Sequence, residues 1–146
     1  MPNEKLLATL QETRRDIVDL RGQRIDRLQG ANDAVNDERA NLQMAQTRAQ
    51  IAVRKDEDIK AKMDELKNHL NGLTEKPQYM LDKLIRLGAD QLGTYRERQA
   101  ENEIVRQRQR ELADAETRLS IAQTELQRSD NDVHDIDARI REVQSN

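Results

Sequence analysis

A seven-residue repeat of apolar side chains runs through the first half of the chain and, more than any other feature, restricts its fold. With heptad position a at Leu7 and position d at Leu10, fifteen of the twenty a and d positions up to Leu73 are apolar. Apolar residues make up only 35% of the whole sequence. Apolar side chains at a and d form one stripe along a helix, and that stripe is buried when a second helix packs on it. The first half therefore predicts a long helix with a single helical partner.

The second half carries the same repeat in its distal part. One row, spaced by seven, is apolar at every position: Val105, Leu112, Leu119, Leu126, Val133 and Ile140. Near the turn Met80, Leu84 and Leu87 keep this phase. Between the two regions the corresponding positions are polar, and a neighbouring stripe is apolar instead: Leu81, Ile85, Leu92 and Tyr95. Such a change of phase is typical of a stutter in a coiled coil. We therefore predict a second long helical arm with a stutter, a kink or a break around 88–94.

A turn signal lies almost at the midpoint of the chain. Asn71-Gly72 is a common helix stop, and Pro77 is the kind of residue that the first turn of a new helix tolerates. We predict one all-α domain over residues 1–146, with arm one at 3–71, a turn at 71–78 and arm two at 77–144. Together the two arms form a long coiled-coil hairpin.

Glycines inside the arms predict additional breaks. Gly30 followed by Ala31-Asn32-Asp33 resembles a helix stop and restart. Gly88 and Gly93 precede Thr94-Tyr95-Arg96-Glu97, which matches a capping box at a helix start. Because a glycine inside a helix costs about 1 kcal/mol relative to alanine, we expect interruptions near residue 30 and within 88–94.

The repeat also predicts how the arms pair. If the chain reverses near residue 75, residue i lies opposite residue 150 − i, and a positions of one arm then meet d positions of the other. This map pairs Val35 with Ala115 and Leu28 with Ala122, so that large side chains face small ones. The sequence therefore predicts an antiparallel hairpin.

Charged residues give a second indication of the same pairing. The segment 14–27 contains Arg14, Arg15, Arg21, Arg24 and Arg27. In the antiparallel map it faces 123–136, which contains Glu125, Asp130, Asp132 and Asp135. A parallel self-dimer would instead place these arginines against their own copies. We therefore expect arginine–carboxylate pairs between the arms, and we expect them to set orientation and register more than stability.

Composition excludes several classes of protein. The chain has no cysteine and 1% aromatic residues, so it lacks thiolate metal sites, disulfides and the bulky side chains of most enzyme cores. Its net charge of −3 gives no strong field to attract nucleic acid or an anionic membrane. No apolar run is long enough for a membrane span, and the N-terminus does not resemble a signal peptide. We expect a cytoplasmic or intravirion protein.

No group of residues predicts catalysis, a cofactor or a metal. The two histidines, His69 and His134, lie on different arms, and we interpret both as exposed or seam-edge residues. The acidic segment 130–137 superficially resembles a calcium loop, but Asp135 and Arg141 occupy the positions where an EF-hand needs Gly and Glu. We interpret this segment as a helix face. The sequence predicts neither an enzyme nor a small-molecule substrate.

Protein–protein interaction is the function that the pattern favours. Four apolar residues widen the face of arm one beyond a two-helix seam: Leu6, Val18, Leu20 and Ile25. Tyr79 and Tyr95 lie near the turn, where tyrosine could serve a docking site or pack on the neighbouring helix. We predict a scaffold, spacer or adaptor that binds itself or another protein, as a homo-oligomer or as part of a larger helical bundle.

Two other functions stay open at this point. Four arginines could contact a polyanion such as a nucleic acid: Arg96, Arg98, Arg106 and Arg110. Several glutamates surround them at spacings that allow helical ion pairs, so we favour an ordinary charged surface. The other alternative is a chaperone or export-type hairpin that clasps a client between its arms, which would need an open apolar groove. No motif is specific enough to indicate a family.

Overall fold

The computed structural model describes the backbone of residues 2–146 and the side chains of residues 3–146. It contains two helices, α1 at Pro2–Asn71 and α2 at Gln78–Ser145. They pack against each other as a helical hairpin, and residues 2–146 contain no strand. The predicted all-α hairpin and its turn are confirmed.

The turn forms where the sequence places a helix stop. The Gly72 and Leu73 amides donate to the carbonyls of His69 (3.2 Å) and Leu70 (3.1 Å), which closes the last turn of α1. The carbonyl of Pro77 accepts from the amides of Met80 and Leu81 and so begins α2. Proline suits this place because the first residues of a helix need no amide donor within the helix.

Both predicted interruptions are wrong. Gly30 lies inside α1, and Gly88 and Gly93 lie inside α2, with helical hydrogen bonding on either side. No glycine among residues 2–146 has a positive φ. A cost of about 1 kcal/mol per glycine is small beside the packing of a long amphipathic face, so tertiary contacts hold the helices continuous.

Burial follows the predicted heptads along both helices. All twenty predicted a and d positions of the first arm are buried or half-buried. On α2 the same alternation of three and four residues runs from Met80 to Val143, with a at Leu84 and d at Leu87. The heptad phase therefore does not change within α2, and the predicted stutter is wrong.

The hairpin divides into two compact units, each made from both helices. One unit comprises residues 1–38 and 112–146, and the other comprises residues 39–111. The buried apolar residues of the first are Val35, Ala115, Ala122 and Val143, and those of the second are Ala45, Ala49, Ala52, Leu70 and Met80. Most of them are small, so the core depends on close approach of the helix backbones more than on bulky side chains.

Contacts between the helices confirm the antiparallel register within each unit. In the first unit Arg14 pairs with Asp137 and Arg21 pairs with Asp130. In the second unit Asp56 accepts a hydrogen bond from Thr94. Each pair matches, within one residue, the relation in which residue i lies opposite 150 − i.

Neither helix contains a stretch, within residues 2–146, that is long, apolar and uncharged enough to cross a membrane.

Candidate functional site

The unit of residues 39–111 contains a charged residue that is completely buried. Asp56 occupies an a position of α1 and has no solvent-exposed surface. The d position directly opposite on α2 is Thr94, and the a positions on either side of it are Gln91 and Arg98. The polar positions of α2 therefore lie in the seam, where they surround the carboxylate of α1.

Four side chains donate to the Asp56 carboxylate. Its Oδ1 accepts from the Thr94 hydroxyl at 3.0 Å and from the Gln91 amide at 3.3 Å. Its Oδ2 accepts from Lys60 Nζ at 3.0 Å and from Arg98 Nη1 at 3.2 Å. We call these five residues the polar layer. Burying a carboxylate is tolerated here because both oxygens are hydrogen-bonded and two cations balance the charge.

Electrostatics keep Asp56 ionised. The hydrogen bond from Lys60 lowers the pKa of Asp56 to about 2, and those from Thr94, Arg98 and Gln91 act in the same direction against the opposing effect of desolvation. A carboxylate with so low a pKa, enclosed and fully hydrogen-bonded, is a poor general base or nucleophile. Its chemistry suits a structural role.

The polar layer explains the sequence pattern that predicted a stutter. Polar a and d positions on α2 indicated that the apolar seam had moved to the stripe of Leu81, Ile85, Leu92 and Tyr95. In the structure those polar residues stay in the seam because their partner on α1 is itself charged. The Thr94 hydroxyl, predicted to cap a helix, donates to Asp56 instead.

The other unit holds a ladder of arginines along the seam. Arg14 and Arg21 each place their Nε 2.6 Å from a carboxylate oxygen, of Asp137 and Asp130 respectively. The pair with Arg14 lowers the pKa of Asp137, mainly through its hydrogen bond, and raises that of Arg14. Arg24 donates to the buried Ser129 hydroxyl at 2.8 Å and to the Glu125 carbonyl at 3.1 Å.

The prediction of arginine–carboxylate pairs is confirmed for part of the acidic segment. Asp130 and Glu125 pair with Arg21 and Arg27 as expected. Asp132 and Asp135 are exposed and form no ion pair among residues 3–146. Asp130 and Asp137 occupy e positions on one flank of the seam, whereas Asp132 occupies a g position on the other flank and Asp135 a c position on the outer face.

The six predicted interaction residues lie on the surface: Leu6, Val18, Leu20, Ile25, Tyr79 and Tyr95 are all exposed. The heptad divides the four on α1 between two flanks. Leu6 and Leu20 occupy g positions, and Val18 and Ile25 occupy e positions. They do not form one patch, so each flank is a separate candidate surface within the unit of residues 1–38 and 112–146.

A more continuous apolar surface lies on α2 in the other unit. The e and b positions that adjoin the seam form the stripe Leu81, Ile85, Gly88, Leu92 and Tyr95. Ile85 is 70% exposed and Leu92 is 49% exposed. We call this set the α2 stripe. Its spacing of four and three residues is visible in the sequence, where it predicts a displaced seam rather than an exposed surface.

Three of the four predicted anion contacts already pair with carboxylates. Arg106 and Arg110 both lie near Glu103, at 3.2 and 3.5 Å, and Arg98 belongs to the polar layer. Arg96 makes no ion pair within residues 3–146. The structure therefore does not collect these arginines into one free cationic cluster.

Both histidines are exposed, as interpreted from the sequence. The acidic segment 130–137 is helical throughout, and Asp130 and Asp137 face arginines of α1. Within the described part of the chain, no three or more His, Asp or Glu side chains come close enough together to hold a metal ion.

Comparisons with protein-family models, curated proteins and solved structures found no match to this chain.

Proposed function

We propose that this chain is a non-enzymatic structural protein whose hairpin serves as a subunit of a homo-oligomer, acting as a scaffold or spacer. The observation that carries the proposal is the row of large apolar side chains on the α2 stripe, outside a seam that α1 already fills. Three of its members, Ile85, Leu92 and Tyr95, are exposed, and large apolar side chains exposed on one helix face are typical of a protein-binding surface. We expect the protein to assemble in the cytoplasm or inside a virion.

The closed seam supports assembly over client capture. A hairpin that clasps a client between its arms needs an open apolar groove. In each unit the a and d side chains of the two helices instead bury one another and leave no open groove. Val35 and Ala115 are buried in one unit, and Ala52 and Leu70 are buried in the other. Apolar surface for a partner lies on the outer faces.

The ion pairs of Arg98, Arg106 and Arg110 argue against a nucleic-acid surface. Each would have to leave a carboxylate before it contacted a phosphate. Single-strand binding also commonly uses aromatic rings for stacking, and Tyr95 is the one aromatic residue in this part of α2.

Light scattering after size-exclusion chromatography tests the proposal. At about 100 µM, where even micromolar self-association is saturated, we expect a mass of at least twice 16.9 kDa, together with a strongly helical circular dichroism spectrum. A helical monomer at this concentration would contradict the proposal. Tight binding to a DNA or RNA oligonucleotide that weakens steeply with salt would favour the alternative function.

A further inference from the structure

We propose that the α2 stripe pairs with the same stripe of a second copy of this chain, in antiparallel orientation about a two-fold axis near residue 90. This inference rests on the proposed function and names the surface and the partner for it. It uses only residues of the unit 39–111.

The spacing of the α2 stripe is that of a second seam. Its members follow one another at intervals of four, three, four and three residues, as a and d residues do, and they lie on the e and b positions beside the first seam. Ile85, Leu92 and Tyr95 are exposed in the hairpin, so residues 3–146 leave much of the apolar surface of these three side chains uncovered. A helix laid antiparallel along it would bury these side chains.

Gly88 gives the stripe a shape that matches its own copy. Gly88 is half-buried, and a Cβ there would touch Met63 Cε of α1 at 4.0 Å, so the missing side chain leaves a shallow notch between Ile85 and Leu92. In an antiparallel pair with alternating layers, Leu92 lies over Gly88 of the second copy and Ile85 lies against Tyr95 of the second copy. Each large side chain then faces a space or a complementary ring, as constant helix separation requires.

Charge along the edge of the stripe selects the antiparallel orientation. The f positions that border it are Asp82, Ala89 and Arg96, so the sign of the charge reverses across Ala89. Arg96 has no ion pair within residues 3–146, and Asp82 accepts only from the Gln78 amide, at 3.0 Å. Antiparallel pairing brings Asp82 of one copy to Arg96 of the other, twice. Parallel pairing places the f positions of the two copies on opposite sides of the seam, so it does not form these two ion pairs.

Leu92→Glu tests the surface. A glutamate there would be buried without a partner in the dimer but stays solvated in the monomer, because Leu92 is half exposed. We expect the dissociation constant of the dimer to rise at least about 100-fold, with unchanged helicity. Ile121→Glu is the matched control, since Ile121 is 54% exposed on the same helix outside the stripe, and it should leave the mass unchanged.

Single cysteines test the orientation, and the absence of natural cysteine makes each thiol unique. In the antiparallel pair the two Ala89 residues lie beside the axis, whereas the two Glu103 residues, on the same face, lie about 40 Å apart at 1.5 Å per residue. A short bis-maleimide should therefore cross-link Ala89→Cys and leave Glu103→Cys uncross-linked.

The outcomes separate this inference from the proposed function. An oligomer that Leu92→Glu leaves intact and that Ala89→Cys fails to cross-link would overturn the inference alone, because assembly would then use another face. Cross-linking of Glu103→Cys would show that the two copies do not pair about an axis near residue 90, and it would also overturn the inference. A monomeric wild-type protein would overturn both proposals.

Discussion

Asp56 of α1 and Arg98 of α2 form an ion pair inside the seam, with 3.2 Å between Asp56 Oδ2 and Arg98 Nη1. The pair restricts how the two helices can align. A slip of one heptad would place Asp56 opposite Glu101 in one direction and opposite Leu87 in the other. Either alternative takes Thr94 out of the layer and places a glutamate or an apolar leucine opposite the buried carboxylate, so the polar layer favours the observed register.

Removing the charge of Asp56 should destabilise the hairpin. Asp56→Asn keeps the size of the side chain but replaces one acceptor oxygen with an NH₂ group, which is a donor. That NH₂ group then faces either Arg98 and Lys60 or Thr94 and Gln91, which are donors themselves. We expect the midpoint of thermal unfolding, followed by circular dichroism at pH 7, to fall by several degrees. Asp58→Asn, an exposed change on the same helix, should leave the midpoint nearly unchanged; equal midpoints for both variants would contradict a stabilising role for the layer.

The same residue predicts a pH dependence. The pKa of Asp56 is about 2 in the folded chain, below the ordinary aspartate pKa of 3.8, so folding favours the ionised form. The resulting stabilisation is fully present above about pH 4 and is lost as the pH falls toward 2.

Urea unfolding at a series of pH values checks this dependence. The difference in free energy of unfolding between wild type and Asp56→Asn should be constant from neutral pH down to about pH 4 and should shrink below it. A difference that grows on acidification would contradict the assignment. The pKa of Asp137 is lowered in the same direction, so Asp137→Asn serves as a parallel case in the other unit.

The hydrophobic repeat was sufficient to predict the fold. A heptad specifies which face of each helix is buried, and the Asn71-Gly72 and Pro77 signals specify where the chain reverses. The sequence also predicts the register of the two helices, because only a few alignments place the a positions of one arm opposite the d positions of the other. The observed pairs of Arg21 with Asp130 and Asp56 with Thr94 agree with it.

Local signals were misleading where tertiary packing overrides them. The predicted breaks at Gly30 and within 88–94 relied on intrinsic helix preference, which is weak compared with burial along a continuous seam. The predicted stutter relied on the rule that seam positions are apolar. That rule fails at Gln91, Thr94 and Arg98, and only the knowledge that Asp56 lies opposite them shows why.

Glycine replacement measures that intrinsic preference directly. At Gly30 and Gly93 an added Cβ would meet no described atom within 4 Å, so alanine introduces no clash. Each change should raise the free energy of unfolding in urea by about 1 kcal/mol. Gly72→Ala is the control: it lies after the end of α1, where the helix preference of alanine does not apply. A destabilised Gly30→Ala would show that the helix needs glycine there.

The candidate surface was only partly predictable from the sequence. The sequence indicates Tyr95 as an interaction residue but assigns Ile85 and Leu92 to the seam. A single sequence shows the spacing of two adjacent stripes without showing which of them faces the partner helix. The burial of Thr94 and Arg98 resolves that choice, since they occupy the seam and leave the α2 stripe outside it.

Two valines of α1 test whether the seam or the flanking surface holds the hairpin together. Val35 is 2% exposed at an a position, and Val18 is 39% exposed at an e position. Val35→Ala removes two methyl groups from a closed layer and should lower the free energy of unfolding by about 1–3 kcal/mol. Val18→Ala should lower it by less than about 0.5 kcal/mol in the isolated hairpin. Urea titrations monitored by circular dichroism, at a concentration low enough to keep the protein monomeric, distinguish the two. A cost at Val18 as large as that at Val35 would mean that this flank is already covered within the folded chain, and it would then be unavailable to a partner.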